Sequence, residues 1–193
     1  MVTINWASVG RADPKADSVA RADRFFPFPN SESADAGERN IATLILGGLK
    51  GAIDFINDKV RTHKPCNDCY RTLPKKRSFQ EVWDDPDVWI HYNGVSQSLG
   101  FNRLGTKEIA VCFKSFMSPV GQPGKPNVMQ VAATIVHELA HVNGAEGDPD
   151  KRDNSAERML KCCLLGQMFN PEVFGAIDRQ VEENRDDQRN ILV

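Results

Sequence analysis

The sequence predicts a single α+β domain, and three observations carry the prediction. A long stretch of helical periodicity comes early, two short stretches of strand-like alternation lie near the middle, and helical stretches return after residue 126. Helix, small sheet, then helices is the order of an α+β fold, not of the regular alternation that builds a parallel sheet. The size agrees, since 193 residues with 40% hydrophobic content suffice for one sizeable core.

Taken in order, residues 1–36 carry prolines at 14, 27 and 29, two copies of Arg-Ala-Asp and a polar patch from Asn30 to Asp35. They are expected to form a loosely structured arm, with at most one short helix over Ser18–Phe25, leaving residues 37–193 as the folded domain. From Glu38 to Val60, Ile41, Leu44, Ile45, Leu49, Ile53 and Ile56 recur at spacings of three and four, the period of an amphipathic helix. Residues 62–87 turn to Pro, Lys, Arg, Cys and Asn and are expected to be loop.

Val88–Tyr92 and Glu108–Phe113 read as strands, with turn chemistry at Asn93-Gly94 and Gly105-Thr106, so a small antiparallel sheet, or a hairpin with a long irregular connection, is expected. After the Gly/Pro-rich break at 119–126, Asn127 can cap a helix whose positions Val128, Val131, Ala132, Ile135, Val136 and Leu139 form a wide apolar face. Gly144 should end it. Two further helices are expected, over Asp153–Phe169 and Pro171–Glu183, the second opening on a proline suited to a first turn.

The charge balance, 24 basic against 26 acidic residues for a net charge of -2, supplies no field to attract nucleic acid or anionic lipid. The longest apolar tract, residues 41–56, is interrupted by three glycines, Lys50 and Asp54, so no membrane insertion is expected. The first residues lack the apolar core of a secretory signal, which points to a cytoplasmic product or one exported by a signal-independent route. Five cysteines leave at least one thiol unpaired within the chain and the redox compartment open.

The chemistry concentrates at His137-Glu138-Leu139-Ala140-His141. Two histidines four apart on a helix project from one face, so their imidazoles can hold one metal ion together. Glu138 beside them can take a proton from a water and hand it to a leaving amine, the work of a general acid/base. Zn2+ is the expected ion, because imidazole and carboxylate ligands with one open position suit it, and it lowers the pKa of bound water to about 7.

This segment resembles the active-site helix of the zincin metallopeptidases, with the specific likeness running from Val131 to Cys163. The resemblance implies a zincin-like single domain, with the sheet packed on the active-site helix and further helices following. It implies that His137 and His141 bind zinc, that Glu138 is the catalytic acid/base, and that a third ligand lies downstream. It also implies an edge strand beside the helix, assigned here to Glu108–Phe113, that holds extended substrate through main-chain hydrogen bonds.

The third ligand separates the zincin subfamilies. In the metzincin pattern Gly144 fits, but Gly147 stands where a His or Asp is needed and Asp148 comes one place late. In the gluzincin pattern a glutamate on the next helix completes the site, and Glu157 in Asn154-Ser155-Ala156-Glu157 is the first choice, although the Glu-x-x-x-Asp order is absent. The aspzincin pattern makes Asp153 the ligand, with Asp148 and Asp150 behind it, although Gly-Thr-x-x-Asp is missing. Asp153 and Glu157 are i, i+4, so one can bind metal while the other orients a ligand; Asp153 reads equally as a helix N-cap.

For an oxyanion, the available side chains are Tyr70, Tyr92, His63 and His91, of which Tyr92 and His91 close a strand. Cys66-Asn67-Asp68-Cys69 has zinc-knuckle spacing and can pair with Cys162-Cys163 in a second metal site or, under oxidising conditions, in disulfides; adjacent helical cysteines diverge by about 100°, which favours disulfides. Cys112 reads as a small buried apolar residue.

The expected function is therefore a zinc metallopeptidase with a protein or peptide substrate. A zinc amidase acting on cell-wall peptide or another non-protein amide, and a non-catalytic zincin-fold binding protein, are the alternatives. A small peptidase without an evident propeptide suits a toxin-like effector delivered by a specialised bacterial system, whose further partner is a cognate inhibitor or immunity protein, or a domain released from a larger polyprotein or fusion.

Overall fold

In the computed structural model, residues 1–6, 25–29, 36–103, 105–117, 122, 124–146 and 155–168 are described. They form a mixed α/β fold around one hydrophobic cluster. The first helix, α1 (Ala36–Phe55), continues into one π-turn over Ile56–Val60. Its buried stripe, Ala42, Ile45, Leu49, Ala52, Ile56 and Val60, keeps the three-and-four spacing of the sequence, while Ile41 is half exposed. Gly51 lies where an added Cβ would stand 2.7 Å from Val128 Cγ2, so the glycines on α1 let it approach the later metal-motif helix closely.

The region expected to be loop, residues 62–87, contains two short helices. The first, α2 (Lys64–Tyr70), carries a proline in its opening turn. The second, α3 (Phe79–Trp83), is opened by a capping box: Ser78 Oγ accepts from the Glu81 backbone N–H and the Glu81 carboxylate accepts from the Ser78 backbone N–H at 2.7 Å. Asn67 Oδ1 accepts from Gln80 N at 2.9 Å and joins the two helices. Tertiary anchoring makes helix of a segment whose composition reads as loop.

The sheet also departs from expectation. Its strands are β1 (Thr3–Ile4), β2 (Trp89–Asn93), β3 (Gly100–Asn102) and β4 (Glu108–Cys112), in the order β1-β2-β4-β3. β1 pairs parallel with β2 and β2 parallel with β4; only β3 and β4 pair antiparallel, so the sheet is mixed rather than antiparallel. β4, expected at the edge, is interior, and β3 takes the edge. The reason is topological: the chain leaving β2 first lays down β3 and then turns back through Gly105, at φ 76°, so that β4 enters between them.

The opening residues join this sheet. Val2, Ile4 and Asn5 are buried, and Asn5 N donates to Ile90 O at 3.0 Å, a pairing that sequence alone did not single out. The expected helix over residues 18–25 falls mostly outside the described residues, but Phe25 and Phe28 are buried. Among the described residues no helix is long and apolar enough to cross a membrane.

A four-residue helix, α4 (Phe113–Phe116), follows β4 directly. Then come α5 (Val128–Val142) and α6 (Ser155–Cys162), the latter shorter than expected and followed by a 3-10 turn over Gly166–Met168. α5 packs on α1, on α6 and on strands β3 and β4. Two disulfides, Cys66–Cys163 and Cys69–Cys162, join α2 to the end of α6. The expected helix over residues 171–183 lies outside the described residues.

Candidate metal centre

Helix α5 begins where the sequence places it. Asn127 Oδ1 accepts from Gln130 N at 3.2 Å, a side-chain N-cap. From Val131 to Ala140 every residue is buried, including His137 and Glu138, each 5% exposed. A polar pair held this deep in an apolar helix must be satisfied locally, because burying polar groups without partners is costly.

The motif's spacing does what four residues on a helix should do. The two rings meet edge to face, and Nε2 of His137 stands 3.1 Å from Nε2 of His141. The other nitrogen of His141, Nδ1, lies 3.0 Å from the carbonyl oxygen of Ala145. A carbonyl only accepts, so Nδ1 donates to Ala145, which leaves Nε2 as the His141 nitrogen able to take a metal. A backbone carbonyl holding the far nitrogen is the arrangement that orients imidazole ligands for a metal.

Gly144 makes that carbonyl available. At φ 93° it closes α5 with two bonds, Ala145 N to Ala140 O at 2.9 Å and Gly144 N to His141 O at 2.9 Å, which is a Schellman ending. The turn brings Ala145 back under His141. The glycine is legible in the sequence as a helix stop; its second effect, aiming a histidine, is not.

Electrostatics point the same way. Burial, and then the neighbouring His141, push His137 well below the usual histidine range, so it stays neutral, the form in which imidazole can donate a lone pair. Two converging imidazoles suit a borderline ion such as zinc, and His137 and His141 would hold it.

Glu138 is set against the edge strand. An ideal Cβ on Gly100 would come within 3.1 Å of Glu138 Cγ and 2.5 Å of Thr134 Cγ2, so β3 can lie on α5 here only because residue 100 has no side chain. The Glu108–Phe113 segment assigned from sequence does run beside α5 as β4, but it is interior, and the edge strand against Glu138 is β3.

Glu157 lies in the first turn of α6, 6% exposed, on a helix packed against α5. Asp148, Asp150 and Asp153 fall outside the described residues. Among the described residues, no set of three His, Cys, Asp or Glu side chains is arranged to hold a metal ion, so the histidine pair has not drawn in Glu157 as a third donor in this conformation.

Compared with protein-family models, with curated proteins and with solved structures, the chain finds no match.

The candidates for oxyanion stabilisation sort differently. Tyr70 is fully buried and its hydroxyl donates to the Val136 carbonyl of α5. Burial, and then the charge of Glu138, push its phenol well above the usual range. His91 pairs with Ala110 and so shares their sheet face, whereas Gly100, opposite Val111, is on the face that meets α5. There His91 Nδ1 lies 2.9 Å from Asn5 Nδ2 and its ring packs edge-on against Phe25 at 4.8 Å. Tyr92 is on the α5 side, packed with Phe28 and Phe116; burial, then the Cys112 sulfur, push it up to about 12. His63 precedes α2 as its N-cap residue.

Cys112 is the free cysteine among the described residues. It is buried, as expected, and burial raises its thiol to about 12 against the opposing hydrogen bonds of Ser98 and Ser96, which disfavours the reactive thiolate.

Proposed function

We propose that the chain is a zinc-dependent metallopeptidase in which His137 and His141 hold the metal and Glu138 is the general acid/base. The observation that carries the reading is the 3.1 Å approach of the two Nε2 atoms, with His141 Nδ1 turned to the Ala145 carbonyl. The zincin resemblance of His137 to His141 supports it, as does an edge strand on the Glu138 side of α5.

When bound, zinc supplies Lewis acidity and lowers the pKa of a water toward neutrality. The protein's residues do the rest. His137 and His141, fixed by the helix and by the Ala145 carbonyl, would hold the ion through their Nε2 atoms. Glu138, one residue on and shielded from bulk solvent, takes the proton from the attacking water and passes it to the leaving nitrogen. β3, three residues long at the sheet edge, offers its outer backbone groups to an extended peptide. A third donor comes from Glu157 or from one of Asp148, Asp150 and Asp153.

Protein or peptide is the proposed substrate class, and a cognate inhibitor or immunity protein a further partner. The two disulfides support a working place where thiols are oxidised, reached by export, over the reducing cytoplasm.

The test is hydrolysis by zinc-loaded wild type and Glu138→Gln, with casein and with peptidoglycan fragments as substrates. Casein cleavage abolished by the substitution, with zinc retained, is expected. Cleavage of the cell-wall peptide alone would move the activity to the amidase alternative; hydrolysis undiminished in Glu138→Gln would overturn the mechanism.

A further inference from the structure

Residues 61–77 hold six lysines and arginines against one acidic residue, Asp68, in a chain whose net charge is -2. Two of the six are matched elsewhere in the fold, Arg61 at 2.9 Å from Asp84 and Arg77 at 2.9 Å from Asp85. The other four are Lys64 and Arg71, at the two ends of α2, and Lys75 and Lys76 in the turn that follows; all four are exposed. Among the described residues their one carboxylate partner is Asp68, shared between Lys64 and Arg71. α6 adds a fifth cation to this face, since exposed Arg158 donates to Thr72 Oγ1 at 3.3 Å, whereas Glu157 beside it is buried.

The face is held rigidly. The bridges Cys66–Cys163 and Cys69–Cys162 join α2 to α6. The turn after α2 is clamped to the end of α5, where Lys75 N donates to the Asn143 carbonyl at 3.1 Å and Lys75 Nζ to the Val142 carbonyl at 2.6 Å. A preorganised surface loses less freedom on binding than a loose one.

Its backbone is also strained. Among the described residues two that are not glycine take positive φ, and both lie here: Lys76 at 56° and Leu164 at 66°, the latter directly after Cys163, which is bonded to α2. Glycine would adopt either conformation freely, so the side chains are kept at a cost, as at sites where they serve binding. Leu164 is 46% exposed and sets an apolar group among the cations.

We infer that the face formed by Lys64, Arg71, Lys75, Lys76, Arg158 and Leu164 is a docking surface for an acidic polypeptide segment of a partner protein. Carboxylates of the segment complement the five cations, and an apolar side chain covers Leu164. A nucleic acid or an anionic membrane would extend its negative charge over the rest of a molecule whose own net charge is negative, whereas a short segment meets this face alone. The face is independent of the metal site proposed above and stands whether or not His137 and His141 bind zinc.

The test is fluorescence anisotropy of a labelled peptide of glutamates flanking a central phenylalanine, titrated with the full chain. A thymidine oligonucleotide and phosphatidylserine vesicles are titrated in parallel. The peptide should bind, and Arg71→Glu/Lys76→Glu should weaken it by about tenfold or more, as should raising the salt from about 0.05 M to about 0.5 M. Lys50→Glu/Lys114→Glu changes the net charge equally from exposed positions on α1 and α4 and should leave the affinity within about twofold. Leu164→Gly should bind about threefold more weakly or worse, with a denaturation midpoint no lower than wild type, because glycine takes the positive φ without strain.

Absence of peptide binding up to about 1 mM overturns the inference. So does an equal loss in the two charge-reversal variants, which would assign binding to net charge rather than to this face, or a Leu164→Gly variant that binds as wild type does. Tighter binding of the oligonucleotide or the vesicles than of the peptide would overturn the assignment of a polypeptide partner.

Discussion

Tyr70 donates its phenolic hydrogen to the carbonyl of Val136, tying α2 to the middle of α5 one residue ahead of His137. The carbonyl also belongs to the helix, so the bond adds to the ladder rather than replacing a rung. Tyr70→Phe keeps the ring, which packs on Phe79 at 5.0 Å, and removes only the hydroxyl. Loss of about 1–2 kcal/mol in chemical denaturation is expected, with zinc still bound. An unchanged midpoint would mean that the hydroxyl contributes nothing to holding α5.

Gly100 is the point where the edge strand meets α5. In Gly100→Ala the added methyl would face Thr134 Cγ2 at 2.5 Å and the Ala110 carbonyl oxygen at 2.9 Å, and backbone cannot yield as a flexible side chain can. The variant should lose about 1–3 kcal/mol of stability and should lose hydrolysis more steeply than zinc, because β3 moves off Glu138 while the histidines stay put. Parallel measurement of denaturation midpoint, zinc content and peptide cleavage checks this.

Asp85 ties the α3 end to the sheet, with Arg77 and Lys107 each 2.9 Å from its carboxylate. Burial would raise its pKa, but the hydrogen bonds from Lys107, the Asp87 N–H and Arg77 together outweigh burial and hold it below the ordinary 3.8. A carboxylate whose folded pKa is depressed stabilises the fold above its unfolded pKa and loses that contribution as pH falls through the folded value. Asp85→Asn should therefore be less stable than wild type at pH 7, and the gap should close as the pH drops below about 3.8. A gap independent of pH would deny the ion pairs any role.

Thiol counting tests the disulfide pattern and Cys112 together. Of the five cysteines, four are bridged and one is buried. The native protein should show no reactive thiol at neutral pH, the denatured unreduced protein one, and the denatured reduced protein five. A thiol that reacts in the native state would contradict either the bridges or the burial of Cys112.

These elements also show what the sequence conveys and what it withholds. α1, β2, β4 and α5 declare themselves because each is amphipathic or apolar over enough residues for its period to be read, and Asn127 and Gly144 bracket α5 with recognised cap chemistry. α2 and α3 do not, because they are held by contacts distant in sequence, such as Asn67 on Gln80 and the cysteines on α6. The Ser78–Glu81 capping box was a readable signal for α3. β1 could not be read: two residues in parallel register with a strand more than eighty positions away leave no local trace.

At the candidate site, His137, Glu138 and His141 follow from spacing alone, since a helix must bring i and i+4 together. The Ala145 carbonyl, Gly100 and Tyr70 act through close approach of backbone to side chain, which no periodicity encodes. Glu157 is brought onto a helix beside α5, but nothing in the spacing decides between it and the aspartates before it.

The central claim is that His137 and His141 jointly bind a metal ion. Elemental analysis of the purified protein under zinc-replete conditions, wild type beside His141→Ala, tests it most directly. The account predicts one zinc per chain in the wild type and its loss from the variant. Wild type without zinc, or a His141→Ala variant that keeps it undiminished, would contradict the account.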